Sequence, residues 1–266
     1  MVLNPVSVIE RTGHGFIDWI LGIFGVLRLS AACTAWCLTG WLYGQPVRFS
    51  AITMQIVELG VKSLPLTALF AFSFGSVVGL QVDLLLDSVD YLPPILTFVG
   101  NFFIKQQAPV IVGILLAARV GGAFTSELSS MVIDGEIAAL KTMGIDPVRF
   151  IVAPAFVAML IVTPLLTMLM VAGQLITLAI YLFFTKGIAA IFVVGLAVEG
   201  IEGPDVATGI LKGLLYGVVI LGISAQTALT AVERGRSTGS VTTFAVVVSI
   251  TAVLVADAVI SIVILG

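Results

Sequence analysis

The chain consists of long apolar runs separated by short polar intervals. Lys, Arg, Asp and Glu are missing from residues 64–82, 110–118, 151–184, 214–232 and 241–256. A helix needs about 20 mostly apolar residues to cross a bilayer, and with their flanks these runs reach or approach that length. The pattern therefore predicts five membrane-spanning helices, at about 63–86, 96–118, 150–184, 206–232 and 241–265.

An earlier apolar stretch, at about 16–43, has a different pattern. Arg28 lies near its middle, and Arg11 and Arg48 flank its ends. An arginine at the centre of a bilayer costs roughly 2.5–3.5 kcal/mol, and basic residues prefer the cytoplasmic side. We expect segment 1–50 to form an elbow helix in the inner-leaflet interface, ahead of a membrane domain at 51–266. The alternative is an ordinary span in which Arg28 snorkels to the surface.

The charges between the spans predict the orientation. Basic residues mark two loops as cytoplasmic: Arg119, Lys141, Arg149, Arg234 and Arg236. Acidic residues mark the other two as external: Asp87, Asp90, Glu199, Glu202 and Asp205. Five spans then place the N-terminus in the cytoplasm and the C-terminus outside.

Composition narrows the class of protein. The 266 residues are 59% hydrophobic and 10% charged, against about 25% charged in soluble domains. The net charge of -3 does not suggest nucleic-acid binding. His14 is the single histidine, and no G-x-x-x-x-G-K-[ST] motif is present, so we expect no catalytic site and no ATPase site. Cys33 and Cys37 lack the paired spacing of a zinc site, and no metal is expected.

Glycines at four-residue intervals predict close helix packing. Gly75 and Gly79 form one pair, and Gly209, Gly213 and Gly217 form a longer series. Small residues at this spacing let helix backbones approach one another in lipid.

The longest polar interval, 125–149, contains an amphipathic pattern. Ile133, Ile137 and Leu140 recur at helical spacing, and Asp134 is a plausible N-cap. Met143 and Gly144, followed by Pro147, indicate the helix end. The pattern predicts a short cytoplasmic helix within about 125–147. Such a helix could dock on a partner or rest on the membrane, and the pattern alone does not decide.

Several motifs resemble the signature of MlaE/YrbE permeases. Residues 118–123 read A-R-V-G-G-A with Glu127 following, 136–140 read E-I-A-A-L, and 143–147 read M-G-I-D-P. Residues 60–65, G-V-K-S-L-P, resemble the family's motif at its first span, and Asp257 falls where the last span often carries an aspartate. The resemblance covers about residue 60 to the C-terminus.

The chain departs from that signature at four places. Residues 105–110 read K-Q-Q-A-P-V where the family often has R-E-L-G-P-V, so the positive charge is kept and the acid is lost. Gly122 replaces a serine, 134–136 read D-G-E for T-E-Q, and 239–242 read G-S-V-T for G-R-A-T. We therefore expect a divergent member of the family.

The resemblance implies an all-α permease in the bacterial inner membrane, belonging to an ABC transporter. Family members form a homodimer that binds two copies of a cytoplasmic ATPase, often with a STAS-domain protein, beneath a periplasmic hexamer of MCE-domain proteins. The cargo is a phospholipid or a similar amphiphile. ATP binds the partner ATPase, so no cofactor is expected in this chain.

The resemblance also assigns roles to residues. The loop helix becomes a coupling helix seated on the ATPase, and we expect Arg119 and Glu127 to pair and orient it. The candidate coupling residues are Arg119, Glu127, Glu136, Ile137, Leu140, Met143, Gly144 and Asp146.

Two lysines are candidates for a functional role inside the membrane. Lys105, with Gln106 beside it, is the candidate lipid site, since an intramembrane cation is costly and could attract a phosphate. The alternative is that Lys105 only snorkels to the outer headgroups. Asp257 lies inside the last span and requires either a cation or a polar interface, and Lys212 is a possible partner by depth.

Other classes of protein fit less well. An ion-coupled secondary transporter is the main alternative, but no inverted repeat is evident and Asp257 is the single deep acid. A lipid-modifying membrane enzyme would need catalytic groups that this sequence lacks.

Overall fold

The computed structural model describes residues 49–88, 92–233 and 237–265. The predicted elbow helix lies outside the described residues, together with several residues named above: Arg11, His14, Arg28, Cys33, Cys37, Arg48, Asp90, Arg234 and Arg236.

Every regular element in these three ranges is helical, in agreement with an all-α membrane protein. The α-helices are α1 Phe49–Leu59, α2 Leu64–Ser88, α3 Leu92–Phe102, α4 Ala108–Leu116, α5 Gly122–Ile133, α6 Glu136–Thr142, α7 Ala153–Lys186, α8 Ala190–Glu199, α9 Gly203–Glu233 and α10 Thr238–Leu265. A 3₁₀ turn at Val61–Ser63 joins α1 to α2, and π-helical segments occupy Phe103–Gln107, Ala117–Gly121 and Val148–Val152. Helices satisfy their own backbone hydrogen bonds, which lipid cannot do for them.

Five of the continuous helical stretches in the described ranges are long and apolar enough to cross a membrane, as predicted. Span 1 is Phe49–Leu86, span 2 Leu92–Ile133, span 3 Val148–Lys186, span 4 Gly203–Thr230 and span 5 Thr238–Val263. Span 2 has 42 residues. At 1.5 Å per residue it is about 63 Å long, roughly twice the hydrocarbon thickness, so its ends extend beyond the core of the bilayer.

The predicted end of span 2 near residue 118 is wrong, because the helix continues to Ile133. Gly121 and Gly122 keep helical dihedral angles, and the buried side chains of Phe124, Thr125 and Leu128 hold the continuation against spans 4 and 5. Polar composition alone therefore did not mark a loop.

The predicted helix within 125–147 is consequently shorter than expected. The observed helix is α6, Glu136–Thr142. Asp134 lies at the C-cap of α5 instead of acting as an N-cap. Gly135 separates the two helices with a φ of 77°, a left-handed conformation that glycine adopts without steric cost. Gly144, with a φ of 73°, follows the end of α6 as predicted.

Span 3 is the centre of the fold. It packs chiefly against spans 1 and 4, while span 4 also packs against spans 2 and 5.

The glycines predicted to allow close helix packing lie at these contacts. A Cβ on Gly75 would lie 2.8 Å from Thr177 Cβ, and one on Gly79 would lie 2.8 Å from the Tyr181 ring. Gly209 faces the carbonyl of Ile104, Gly213 faces Pro164 and Thr167, and Gly217 faces Thr163.

Helix α8 was not predicted, because its ten residues are too few for a span. It packs against α3 and span 3. A Cβ on Gly100 would lie only 2.0 Å from the carbonyl oxygen of Ala197, so glycine is required for this close approach. The Asn101 side chain also donates to the Gly200 carbonyl oxygen at 2.6 Å.

The two ends of the bundle are named by the charges that distinguish them in the sequence. We call one the basic end, where α6 and the start of span 3 carry Lys141 and Arg149, alongside the acids Asp134, Glu136 and Asp146. We call the other the acidic end, where Glu199, Glu202 and Asp205 lie between α8 and the start of span 4.

We predict that Gly75→Ala destabilises the protein. The added methyl group would lie 2.9 Å from the backbone oxygen of Gln174, so spans 1 and 3 must separate. Overpacking of this kind typically costs about 1–3 kcal/mol. Thermal unfolding in detergent should show a lower Tm than wild type. The matched control is Gly195→Ala, where nothing lies within 4 Å of the new methyl group. Equal Tm values for the two variants would contradict the packing role of Gly75.

Candidate functional site

The three π-helical segments each carry one basic residue. Lys105 lies in Phe103–Gln107, Arg119 in Ala117–Gly121 and Arg149 in Val148–Val152. A π-helical turn inserts extra residues into a helix, changes the direction of the side chains around it, and is frequent at functional sites. The first of these segments leads to a polar layer inside the bundle.

Lys105 forms an ion pair with Asp205 across the contact between spans 2 and 4. The distance from Lys105 Nζ to Asp205 Oδ1 is 2.6 Å, and the side chains are 31% and 10% exposed. Asp205 lies in the first turn of α9, and its other carboxylate oxygen accepts from the Glu202 N–H at 3.1 Å. The pair is therefore fixed on the aspartate side and open on the lysine side.

A second ion pair lies deeper in the bundle. Lys212 Nζ is 2.8 Å from Asp257 Oδ1, and these side chains are 1% and 8% exposed. The predicted partners thus do lie in contact. Asp257 also accepts from the Tyr216 hydroxyl and from the Gln106 amide nitrogen, both at 2.6 Å. Together with Ser261, these residues form what we call the buried polar cluster: Gln106, Lys212, Tyr216, Asp257 and Ser261.

The cluster is closed by further hydrogen bonds. Lys212 donates to Gln106 Oε1 and to the Ser261 hydroxyl at 2.9 Å each, and Ser261 donates to Gln106 Oε1 at 2.9 Å. Breaking a buried ion pair by removing one partner leaves an uncompensated charge, which is strongly destabilising. Here every polar atom of Lys212 and Asp257 has a partner, so neither charge is left unpaired inside the bundle.

Helical periodicity brings these residues together. Asp205, Lys212 and Tyr216 are spaced by seven and four residues, which places them on one face of span 4. Asp257 and Ser261 are one turn apart on span 5. Because Lys105 and Gln106 are adjacent, span 2 contacts both ion pairs of the layer.

Sequence reasoning missed three members of this layer. Asp205 was assigned only to an external loop, and Tyr216 and Ser261 were not singled out. Their spacing relative to Lys212 and Asp257 was a usable signal, since residues four or seven apart share a helix face. Gln106, expected at the lipid site, instead contributes both ends of its amide to the buried polar cluster.

At the basic end, the expected pair between Arg119 and Glu127 is wrong. Arg119 donates to the Ser63 hydroxyl and, at 3.5 Å, to the Glu58 carbonyl oxygen. Eight residues separate Arg119 and Glu127 by about 12 Å along one helix, too far for a direct pair. Arg119 therefore ties span 2 to span 1, and Glu127 is exposed.

The other candidate coupling residues lie on α6 and the turn after it. Ile137 is buried and anchors α6 to the bundle, Leu140 is half-buried, and Glu136 is exposed. Met143 is 65% exposed. Gly144 and Asp146 are also exposed, and the Asp146 carboxylate accepts from the Val148 N–H at 3.0 Å at the entry to span 3.

Ile133 and Ile145 add to Met143 on this exposed surface. They are 57% and 38% exposed. We call these three residues, with Glu136, the loop surface. It is an exposed apolar patch on a short connection between two long spans.

Five packed spans that enclose paired charges define a polytopic membrane protein. Residues 52–263 match the family described as Permease MlaE. The chain belongs to the MlaE permease family and is a permease subunit of an ABC transporter.

Relatives from bacteria and a plant share much of this region. A probable ABC transporter permease protein of Rickettsia typhi is 28% identical over 263 residues, covering 97% of this chain and 96% of the relative. The intermembrane phospholipid transport system permease protein MlaE of Haemophilus influenzae is 30% identical, over 65% of this chain and 63% of the relative. The chloroplastic protein TRIGALACTOSYLDIACYLGLYCEROL 1 of Arabidopsis thaliana is 29% identical, over 60% and 45% respectively.

We predict that Lys212→Met lowers stability by about 3–5 kcal/mol, because it leaves Asp257 charged and buried. The double variant Lys212→Met/Asp257→Asn should unfold at a higher temperature than Lys212→Met alone, since neither charge then remains. The control is Lys62→Met, which breaks an exposed ion pair with Glu58 worth about 0–1 kcal/mol. Additive losses in the double variant would show that the two charges do not stabilise each other.

Proposed function

We propose that this chain is the permease subunit of an ABC transporter that moves a phospholipid or similar amphiphile between the inner membrane and a periplasmic MCE-domain protein. The observation that carries the proposal is the partly exposed Lys105–Asp205 pair at the acidic end of a chain in the MlaE permease family. A lysine within a membrane span is energetically costly and usually has a function. A phosphate headgroup is a suitable counter-ion for it.

The proposed lipid site centres on Lys105. Its side chain is 31% exposed although its ammonium already contacts Asp205. Gln106 helps to form the site indirectly, because its hydrogen bonds to Asp257 and Lys212 fix the π-helical turn that carries Lys105. The name of the Haemophilus influenzae relative, which refers to phospholipid transport, supports the same class of cargo.

The loop surface is the proposed docking site for a cytoplasmic ATPase. Ile133, Met143 and Ile145 expose apolar side chains beside Lys141 and Glu136, a mixture typical of a protein interface. Ile137 and Pro147 are buried at the two ends of this connection and would transmit a push on α6 to spans 2 and 3.

The proposed assembly follows from the family. Two copies of the permease form a homodimer that binds two ATPase subunits, with an MCE-domain hexamer on the periplasmic side and, in some systems, a STAS-domain protein on the ATPase. The basic end faces the cytoplasm, because Lys141 and Arg149 lie there, and the C-terminus is then periplasmic. ATP binds the ATPase subunits.

An ion-coupled secondary transporter, the main alternative, gains no support from the described spans. Such a mechanism needs an acid that can bind and release an ion inside the membrane. The aspartates with described side chains in the spans are all paired with lysines: Asp83 with Lys186, Asp205 with Lys105 and Asp257 with Lys212. The two glutamates of the described spans, Glu58 and Glu127, are exposed and lie toward the basic end, away from the buried polar cluster.

We predict that Met143→Asp weakens recovery of the ATPase with the permease. The substitution places a charge in the apolar loop surface, at a side chain that is 65% exposed and therefore not needed for folding. Tagged permease should retain about tenfold less ATPase, since one desolvated charge costs more than the roughly 1.4 kcal/mol that a factor of ten represents. Met143→Leu is the matched control and should behave as wild type. Undiminished ATPase recovery with Met143→Asp would exclude this docking surface.

We also predict that Lys105→Ala reduces the lipid that copurifies with the intact complex, measured by mass spectrometry of extracted lipids. The expected loss is severalfold, because a charge-assisted bond to phosphate is worth about 1.5–3 kcal/mol. The matched control is Lys186→Ala, which removes a lysine of similar exposure that pairs with Asp83 at 3.2 Å. The lipid role of Lys105 is refuted if both variants retain wild-type amounts of lipid.

A further inference from the structure

We propose that the Lys105–Asp205 pair makes the site selective for zwitterionic phospholipid headgroups over anionic ones. This inference rests on the proposed function, since it names the headgroup class that the same site accepts. It follows from the charges around Lys105 and from the exposure of the pair.

The polar layer holds equal numbers of cations and anions. Lys105 is paired with Asp205 at 2.6 Å, and Lys212 is paired with Asp257 at 2.8 Å. Among the described residues of this layer, no cation is therefore left over for an incoming anion. A site with an unpaired positive charge would favour anionic lipids, and the Lys105–Asp205 site has no unpaired positive charge.

An anionic headgroup would bring its phosphate beside a carboxylate. If the phosphate took Lys105 as its partner, Asp205 would lose its counter-ion in a largely buried position, where its side chain is 10% exposed. Leaving a buried charge unpaired beside a like charge is an energetic penalty that acts against that ligand.

A zwitterionic headgroup avoids this penalty by exchanging partners with the pair. Its phosphate oxygens can accept from Lys105, and its ammonium can donate to or lie against Asp205. Two charge-assisted contacts then replace one, and no charge is left without a partner. The exchange needs access to the pair, which the 31% exposure of the Lys105 side chain provides.

The deeper pair does not take part in the exchange. Lys212 is 1% exposed, and Tyr216, Gln106 and Ser261 occupy its surroundings and those of Asp257. Selectivity is therefore assigned to the open pair, and the closed pair keeps the rest of the layer neutral.

The test compares headgroups on lipids with the same acyl chains. The permease–ATPase complex is equilibrated in mixed micelles with equal amounts of dioleoylphosphatidylethanolamine, dioleoylphosphatidylglycerol and dioleoylglycerol. Bound lipid is then quantified by mass spectrometry. Wild type should retain about tenfold more of the zwitterionic than of the anionic lipid, a factor that corresponds to about 1.4 kcal/mol. Dioleoylglycerol, which has no phosphate, should be retained least.

Asp205→Asn should bring the ratio of zwitterionic to anionic lipid to about one or below, because Lys105 is then a cation without a carboxylate. The matched control is Asp83→Asn, which removes the carboxylate of the Lys186 pair and should leave the ratio as in wild type. If Asp205→Asn does not yield folded complex, the ratio of zwitterionic to anionic lipid retained by wild type tests the inference by itself.

Several results would overturn the inference. These are equal retention of the two phospholipids by wild type, equal shifts in the ratio for Asp205→Asn and Asp83→Asn, and retention of dioleoylglycerol at the level of the zwitterionic lipid. Failure of the proposed function is a different result: wild type would then retain none of the three lipids, so that no ratio exists.

Discussion

Inside a bilayer, no water is available to solvate a charge or a peptide group, and this constraint shapes the whole chain. Helices satisfy the backbone, and long runs without charged residues satisfy most side chains. Lys212 and Asp257 are the exception that the fold must accommodate. Their 2.8 Å contact, closed by Gln106, Tyr216 and Ser261, joins spans 2, 4 and 5 at one depth and fixes the rotation of each helix. The glycines of span 4 then allow the close approach to spans 2 and 3 that this geometry requires.

The same constraint gives the two ion pairs different roles. In the Lys212–Asp257 pair every polar atom already has a partner inside the bundle, so its role is to hold helices together. The Lys105–Asp205 pair lies at the start of span 4, is partly exposed, and has fewer partners. Lys105 lies on span 2 and Asp205 on span 4, so a movement of span 2 relative to span 4 would open the outer pair. Lys212 and Asp257 lie on spans 4 and 5, so the same movement would not separate the inner pair. A ligand that replaces Asp205 at Lys105 would favour that movement, which links cargo binding to helix position.

Some of this could be predicted from sequence, and the reasons are physical. The five spans were predictable because soluble folds rarely contain about 20 consecutive residues without a charge, whereas membrane spans require such runs. Lys212 and Asp257 could be paired by depth, since both lie in charge-free surroundings. The end of span 2 could not be predicted, because residues 119–133 are polar by composition but are held helical by buried contacts of Phe124, Thr125 and Leu128. The Lys105–Asp205 pair was also missed, because pairing between spans depends on helix rotation and on a π-helical turn that no local pattern indicates.

The continuity of span 2 relates the two ends of the molecule. One helical stretch of 42 residues carries Lys105 at the acidic end, Arg119 near the basic end and Ile133 at the loop surface. Two residues, Asp134 and Gly135, connect it to α6, and a turn of five residues, 143–147, connects α6 to span 3. A displacement of α6 by an ATPase would therefore move spans 2 and 3 together, since neither connection is long enough to absorb it. Arg119 holds span 1 to the same unit through Ser63 and Glu58. Span 4 is not joined to α6 by a short connection, so we expect such a displacement to move span 2 relative to span 4, and the Lys105–Asp205 pair lies across the contact between these two spans.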